Sequence, residues 1–370
     1  MQLTPRRVPE GILTLMFTTL TASMLHLSDL HLGNDFYDVG NKNKSDGINL
    51  QSGMAVIKNR GRFVMQSHDG YILTSLPSDI QKAASYIAAP QKRFDFHVVT
   101  GDISTNAMSD ERFSFARKFL VQQLSVRDKY ASQVFDVGLN LGEDNILCVP
   151  GNHDKLDRSN LNEYLSGFGD LPQRPPYVVD KLSHSDQRFI FFAIDSNLYS
   201  EGNEAVGEIS AITLGWLKKQ FDNYESLDTH ESQAVRVLLL HHHPADLNTF
   251  RSRSIMHYIP LLKTNPFTKL EEGERLLEAC RGNIDIIMHG HEHFPIAFFN
   301  EESNCLIVSA GTTSKIQLDA KSKNSFHALA FSGREFRIVQ YDWSKGRFAT
   351  AYEWTGDLDQ PGCNLRGFEL

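Results

Sequence analysis

The chain has 370 residues, of which 41% are hydrophobic and 22% charged, and its formal net charge at pH 7 is −8. This composition and length are those of a globular protein with a large core. The negative charge disfavours a uniformly basic nucleic-acid-binding surface, although a local basic patch remains compatible with it. No apolar run reaches the ~18 residues that a membrane-spanning helix needs, so we expect no membrane insertion.

The four cysteines show no C-x-x-C pairing, and Cys148 and Cys305 lie in the apolar runs ILCV and CLIV. We therefore predict buried free thiols, not zinc ligands or disulfides, and a reducing, cytoplasmic compartment. At the N-terminus, Arg6 and Arg7 precede a short apolar run that loosely resembles a signal peptide. Because threonines interrupt that run, we interpret residues 1–23 as an extension, either disordered or upstream of a true start at Met24.

The first predicted strand, residues 24–28, leads directly into Asp29 and His31. Side chains two residues apart in an extended segment project the same way, so this carboxylate and imidazole lie together. Such a pair is half of a mixed oxygen and nitrogen metal site, and a charged surface turn is the alternative.

Residues 34–78 differ in composition and predict an insertion at the rim of the site. It includes a polar tract at 41–47 and a predicted hairpin that joins residues 62–67 to 71–75 through Asp69 and Gly70. Within 40–93, eight basic and three acidic residues give a net charge of +5. This surplus indicates either a solvated surface or a rim that attracts phosphate.

Two further apolar strands end in polar groups. A helical pattern precedes each of them, at about 79–89 and at about 110–130. Residues 95–99 lead to Asp102, and Ile146–Val149 leads through a Pro-Gly break to Asn152, His153 and Asp154. Strands that alternate with helices predict a parallel sheet, whose ligands collect beyond the carboxyl ends of the strands.

The second half of the chain repeats this pattern. Strand 188–194 is followed by a helix with an apolar core face, and strand 234–240 then runs into His241, His242 and His243. At least one of these histidines is expected to bind a metal, but the sequence alone leaves open which one. A strand at 284–288 leads to His291 and His293, and the short strands at 296–354 predict a second sheet.

In chain order these segments spell D-x-H, G-D, G-N-H-D, H-x-P and G-H-x-H. Five such motifs, each after an apolar strand, resemble the calcineurin-like metallophosphoesterase superfamily over nearly the whole chain. The resemblance implies an α/β fold, a four-layer α-β-β-α sandwich with two mixed β-sheets and a metal site at the C-terminal ends of the strands. The domain would span residues 24–355, and residues 356–370 would form a C-terminal tail.

The resemblance also implies two divalent metal ions (Mn, Fe, Zn or Co) and a bridging hydroxide that attacks phosphorus. The implied ligands are Asp29, His31, Asp102 and His293 for the first ion, and Asp102 as bridge with Asn152, His242 and His291 for the second. His242 is chosen because the family's ligand usually lies two residues before the proline, and His241 is the alternative. His153 would protonate the leaving group, with Asp154 or Asn106 as its partner.

The G-E-I-S and W-L segments of residues 207–217 resemble cyclic-nucleotide-phosphodiesterase-like and purple-acid-phosphatase-like members. Ile103 and Ser104 after G-D depart from protein phosphatases, and the tyrosine pattern of an iron–tyrosinate centre is missing. We expect hydrolysis of small phosphodiesters, including nucleotides, or of phosphomonoesters. The alternatives are a DNA exonuclease, whose opening resembles LHLSDLHLG, and a catalytically silent binding scaffold.

Overall fold

A computed structural model describes residues 22–32, 56–59, 62–65, 70–88, 91–104, 110–127, 134–154, 175–197, 206–225, 234–245, 270–313 and 324–370. The helices of this part are α1 Gly70–Ile87, α2 Asp110–Val121, α3 Ala211–Glu225 and α4 Gly273–Cys280. The strands are β1 Ala22–Leu27, β2 Val56–Asn59, β3 Arg62–Met65, β4 Phe96–Thr100, β5 Leu124–Arg127, β6 Val134–Val137, β7 Ile146–Val149, β8 Tyr177–Leu182, β9 Arg188–Ala193, β10 Gly207–Glu208, β11 Val235–Leu239, β12 Leu270–Glu271, β13 Ile286–His289, β14 Ile296–Asn300, β15 Cys305–Ser309, β16 Ser325–Ser332, β17 Glu335–Ser344, β18 Arg347–Asp357 and β19 Arg366–Glu369. No helix of the described segments is both long and apolar enough to cross a membrane.

Two large mixed sheets form the centre of the fold, as predicted. The first has the order β19-β18-β17-β16-β1-β4-β7, in which β1, β4 and β7 are parallel and the other strands antiparallel. The second has the order β14-β15-β13-β11-β9-β8, in which β9, β11, β13 and β15 are parallel. The strands that precede the polar motifs are therefore the parallel strands of both sheets.

Three apolar clusters hold the sheets and helices together. In β4, Phe96 and Val98 belong to a cluster shared by the two sheets, whereas Val99 belongs to a cluster with α1 and α2. The outer face of the second sheet packs on α3 and α4 through residues such as Leu217 and Leu277. This alternation follows from the two-residue period of strands. The two sheets thus share one apolar cluster, and helices pack on each sheet through the other two clusters.

Helix α1 includes residues that we predicted as the second strand of a hairpin. Residues 71–75 lie in this helix, so the predicted hairpin of 62–67 with 71–75 is wrong, and the hairpin here pairs β2 with β3. The apolar positions of α1 recur at helical spacing, namely at Ile72, Leu76, Ile80, Ala83 and Ile87, all of which are buried. This packing outweighs the strand preference of the YILTS run, and Pro77 does not end the helix. Residues 34–55, 60–61 and 66–69 of the predicted insertion lie outside the described residues.

The C-terminal strands divide between the sheets instead of forming one. Strands β14 and β15 belong to the second sheet, whereas β16, β17 and β18 extend the first sheet. The segment that we predicted as a tail contains β19, which pairs with β18.

Helix α2 ends at Val121, earlier than predicted, because β5 begins at Leu124. All four cysteines are buried and free, which confirms that prediction.

A buried ion pair joins β17 to β18. Arg337 donates to both carboxylate oxygens of Glu353, at 3.0 and 2.8 Å, and Nη2 of the same guanidinium also contacts Tyr86 Oη at 2.6 Å. Glu353→Ala would leave the guanidinium without its counter-charge, so we expect a loss of about 3 kcal/mol in the free energy of unfolding, measured by urea denaturation. Asp359, half exposed, pairs with Arg334 and provides the control. Asp359→Ala should cost less than about 1 kcal/mol, and equal losses would contradict the account.

Candidate metal centre

The polar motifs follow the parallel strands at a regular offset. Four residues occupy the second position after a strand end, namely Asp29 after β1, Asp102 after β4, His241 after β11 and His291 after β13. Asn152 occupies the third position after β7. Because the carboxyl ends of parallel strands meet at one edge, side chains from the two sheets come together there.

Backbone hydrogen bonds fix the loops that carry these side chains. The amides of Asp29 and His31 donate to the carbonyls of Gly101 and Asp102 at 3.0 and 2.8 Å, which joins the loops after β1 and β4. His291 N donates to Asp29 Oδ2 at 3.0 Å and so joins the second sheet to the first. Five predicted ligands adopt left-handed φ angles, namely Asp29 (52°), His31 (46°), Asp102 (48°), His291 (73°) and His293 (53°). Such angles are uncommon outside glycine and cluster at functional sites.

Asp29, His31 and His293 form a first group, whose donor atoms lie within 4.8 Å of one another. Asp29 Oδ1 is 3.0 Å from His293 Nε2 and 3.8 Å from His31 Nε2. Burial alone would raise the pKa of Asp29, but the charge and hydrogen bond of His293 hold that pKa below its usual value. A buried carboxylate facing two imidazoles is a donor set suited to a transition-metal cation.

Asp102 links this group to a second one. Its Oδ2 is 3.7 Å from His31 Nε2, whereas its Oδ1 is 3.5 Å from His241 Nε2. Asp29, Asp102 and His241 also form a group with donor atoms within 4.8 Å of one another. The two oxygens of Asp102 therefore face the two groups separately, which is the arrangement that a bridging carboxylate needs.

The second group centres on His241 Nε2. This atom is 3.1 Å from Asn152 Oδ1 and 3.1 Å from His291 Nδ1, while His241 Nδ1 donates to the carbonyl of Thr100 at 2.7 Å. In a neutral His241 with this tautomer, Nε2 carries a lone pair that faces the Asn152 oxygen, which is repulsive unless a proton or a cation lies between the two atoms. Burial lowers the pKa of His241, but the carboxylates of Asp102 and Asp29 raise it overall. The site thus attracts positive charge at this point.

His242, our predicted ligand, borders the same group, because its ring centroid lies 4.4 Å from that of His291. Its Nδ1 lies 2.8 Å from Ser196 Oγ, and its buried Nε2 has no hydrogen-bond partner among the residues that the structure describes. Successive residues after a strand project to opposite sides, so only one of His241 and His242 can face Asp102 and Asn152. The geometry favours His241 over His242, which we had chosen by its spacing from Pro244. The two-residue offset from the strand end was the sequence signal that identifies His241.

Substitution of the two histidines separates these assignments. We expect His241→Ala to lose about one of two bound metal ions per chain, because it removes the imidazole that faces Asn152 and His291. His242→Ala, its neighbour and matched control, should retain both ions. Elemental analysis of the purified variants measures this difference. The opposite pattern would restore His242 as the ligand.

His153 differs from the buried ligands because its side chain is 23% exposed. Its backbone N–H donates to Asp102 Oδ1 at 2.8 Å, and its Nε2 lies 4.0 Å from Asp102 Oδ2. The ring also contacts that of His31, with centroids 4.8 Å apart. An exposed imidazole at the edge of the cluster is placed to reach a substrate.

Asp154, which we predicted to orient His153, anchors two loops. Its two oxygens accept the backbone N–H groups of Ile103, Ser104 and Gly151 at 3.2, 2.8 and 2.9 Å, so it ties the loop after β7 to the loop after β4. Burial and the nearby charge of Asp102 raise the pKa of Asp154 to about 7. Asn106, the other predicted partner of His153, lies outside the described residues.

Two glycines allow the loops to approach the carboxylates. A Cβ at Gly151 would lie 2.2 Å from Asp102 Oδ1, and a Cβ at Gly290 would lie 1.8 Å from Ser28 Oγ and 2.5 Å from Asp29 Oδ2. Neither distance is sterically allowed, so any side chain at these positions would displace a ligand carboxylate. Close packing against the carboxylates therefore explains why the G-N-H-D and G-H-x-H motifs have glycine at these positions.

One family model and several solved structures are similar to this chain. The calcineurin-like phosphoesterase family model matches residues 22–295, which is more than half of the chain. A dimetal phosphatase structure from Danio rerio has 12% identity, a TM-score of 0.47, and coverage of 90% of this chain and 99% of its own. Vacuolar protein sorting 29 from Cryptosporidium parvum has 13% identity, a TM-score of 0.36, and coverage of 95% and 100%. No curated protein matches the sequence. The chain belongs to the calcineurin-like phosphoesterase family.

Proposed function

We propose that the protein is a binuclear metal-dependent phosphoesterase that hydrolyses small phosphodiesters, nucleotides among them. The observation that carries the proposal is the position of Asp102, whose two carboxylate oxygens face His31 at 3.7 Å and His241 at 3.5 Å. A single carboxylate between two sets of nitrogen and oxygen donors fits two cations that share one ligand. Phosphomonoesters are the second substrate class that this site would accept.

The donor set fits two divalent ions. The first would be held by Asp29, His31, Asp102 and His293, and the second by Asp102, Asn152, His241 and His291. When bound, such a pair of ions activates water for attack on phosphorus and neutralises charge on the phosphate oxygens. Mixed histidine, aspartate and asparagine ligation suits Mn, Fe, Zn or Co.

Side chains of the protein supply the leaving-group proton, hold the loops in place and keep a ligand imidazole neutral. His153 is the partly exposed imidazole beside Asp102, and we assign to its ring the proton that the leaving oxygen needs. Asp154 positions the loops by accepting three backbone amides, and so keeps the His153 backbone against Asp102. The lowered pKa of His291, to about 3 by burial and the charge of His241, keeps its imidazole neutral and able to bind a metal.

Small esters are favoured over DNA by the positions of the basic residues. Among the described residues of the basic segment, Lys82 pairs with Asp79 on α1 at 2.7 Å. Lys92 and Arg93 precede β4, at the end of that strand opposite Asp102. These three cations therefore offer no phosphate-binding rim to a long nucleic acid, and the net charge of −8 opposes one.

A compartment can be proposed from the thiols. The four cysteines are buried and free, which supports a reducing environment such as the cytoplasm. Burial raises the pKa of Cys305 to about 12, so this thiol remains protonated and unreactive at neutral pH.

A metal-titrated assay tests the function. Purified protein would be given bis(p-nitrophenyl) phosphate, p-nitrophenyl phosphate, single-stranded DNA and duplex DNA, each with Mn, Fe, Zn or Co. We expect metal-dependent cleavage of the diester, with the monoester as a slower substrate. Cleavage of DNA alone, with a steep salt dependence, would replace the proposal with the exonuclease alternative. No cleavage of any substrate with any metal would overturn both.

A further inference from the structure

A cavity of about 730 Å³ lies on the helix-covered face of the first sheet. It is enclosed by α1, by the turn before β4 and by the loop before β7, and His97 of β4 lines it. His97 precedes Asp102 by five residues, which is about 16 Å along an extended strand. The cavity is therefore separate from the metal centre, at the opposite end of the same strand.

The cavity has an apolar floor. Ile80 and Ala84 of α1 line it, together with Phe94, Leu139 and Leu141. All five are buried and belong to the cluster between α1, α2 and the first sheet. A floor that combines an aromatic ring with aliphatic side chains favours the flat apolar part of a small ligand.

The mouth of the cavity is basic. Lys92 and Arg93 line it and are exposed, and none of the described lining residues carries a carboxylate. The lining also includes neutral amides and two hydroxyls, contributed by Gln81, Gln123, Asn140, Asn145, Thr74 and Ser78. The lining thus carries two fixed positive charges, which favours an anionic group on the ligand.

Arg93 is held in place by a chain of hydrogen bonds. Its Nη2 donates to His184 Nε2 at 2.7 Å, and His184 Nδ1 donates to Asp95 Oδ1 at 2.5 Å. The other oxygen of Asp95 accepts the backbone N–H and the hydroxyl of Ser23 at 2.8 and 3.0 Å. The guanidinium is thereby fixed at the mouth before a ligand arrives, which lowers the entropic cost of binding.

His97 contributes an imidazole to the lining of the cavity. The residue is only 8% exposed, and its Nδ1 is enclosed by protein, so a ligand in the cavity would meet other atoms of the ring. Burial lowers the pKa of His97 to about 4, so the ring is neutral and can either donate or accept.

We propose that this cavity binds a small organic anion with a flat, polar-edged body. The body lies on Phe94 and Ala84, an edge atom contacts the imidazole of His97, and the anionic group meets Lys92 and Arg93. The volume is within the range of about 300–1,000 Å³ that small-molecule sites occupy. The site is independent of the proposed phosphoesterase centre.

Calorimetric titration with 2-naphthoate, an aromatic carboxylate that contains no phosphoester, tests the proposal on the metal-loaded full-length protein. We expect one molecule per chain to bind, and the uncharged analogue 2-naphthylmethanol to bind at least about tenfold more weakly. Lys92→Gln/Arg93→Gln should weaken 2-naphthoate binding by about tenfold. The exposed pair on α3 provides the charge-matched control, Lys218→Gln/Lys219→Gln, which should bind as the wild type does.

Two further variants locate the site. His97→Phe, which keeps a ring but removes the nitrogen, should weaken binding by about fivefold. Asp102→Ala should bind 2-naphthoate as tightly as the wild type, because that residue belongs to the metal centre. Binding lost in Asp102→Ala and kept in Lys92→Gln/Arg93→Gln would place the ligand at the metals and overturn the proposal. So would the absence of binding to the wild type, and neither result would affect the hydrolase assay.

Discussion

Asp102→Ala is expected to lose both bound metal ions and, with them, phosphoesterase turnover. Its carboxylate has an oxygen toward each donor set, at 3.7 Å from His31 and 3.5 Å from His241. Removing it takes one ligand from each ion and leaves the imidazoles without a counter-charge. Because metal ions contribute several kcal/mol of transition-state stabilisation, the rate should fall by at least about 10³-fold.

The control for this variant is another buried aspartate at the same edge of the fold. Asp195 follows β9 and accepts the backbone N–H of Asn197 at 2.9 Å. Asp195→Ala should keep both metal ions and most of the activity, because Asp195 belongs to neither donor group. If Asp102→Ala retained two ions by elemental analysis, the bridging assignment would be wrong.

His153→Ala is expected to keep both ions and to slow turnover by about 10²–10⁴-fold, the range for loss of a general acid. The contact between residue 153 and Asp102 Oδ1 comes from the backbone N–H, at 2.8 Å, and survives removal of the side chain. The ring itself is 23% exposed and 4.0 Å from Asp102 Oδ2, so its loss should leave the ligands in place. Metal analysis and steady-state kinetics measure the two effects separately.

The leaving group distinguishes proton donation from a structural role. p-Nitrophenolate leaves without much protonation, whereas an alkoxide needs a proton. The defect of His153→Ala should therefore be larger for an alkyl ester than for bis(p-nitrophenyl) phosphate. An equal defect for both esters, or metal loss equal to that of Asp102→Ala, would remove the acid role from His153.

The sequence predicted the parts of the site that depend on local chain geometry. Each ligand motif follows an apolar parallel strand, and the ends of such strands meet at one edge, so Asp29, Asp102 and His291 could be grouped without coordinates. The alternation of strands and helices predicted a parallel sheet. The mixed α/β fold with two sheets, which the family resemblance implied, is confirmed.

Other features depended on tertiary contacts. The choice between His241 and His242 rests on which imidazole faces Asn152. The contact of His241 Nε2 with Asn152 Oδ1 favours the residue that spacing from the proline did not select. Residues 71–75 are helical because Ile72 and Leu76 pack on the first sheet, a contact that local propensity does not contain. The cavity beside His97 likewise combines three segments that are distant in sequence.

The most direct test of the account is the metal content of the purified wild-type chain, measured by elemental analysis after reconstitution and desalting. The central claim is that side chains from the parallel strands of both sheets enclose two cations around Asp102. We predict two tightly bound divalent ions per chain, and diester hydrolysis that rises with their occupancy and disappears on chelation. A chain that binds no metal, or hydrolyses the ester equally well after complete metal removal, would contradict the account.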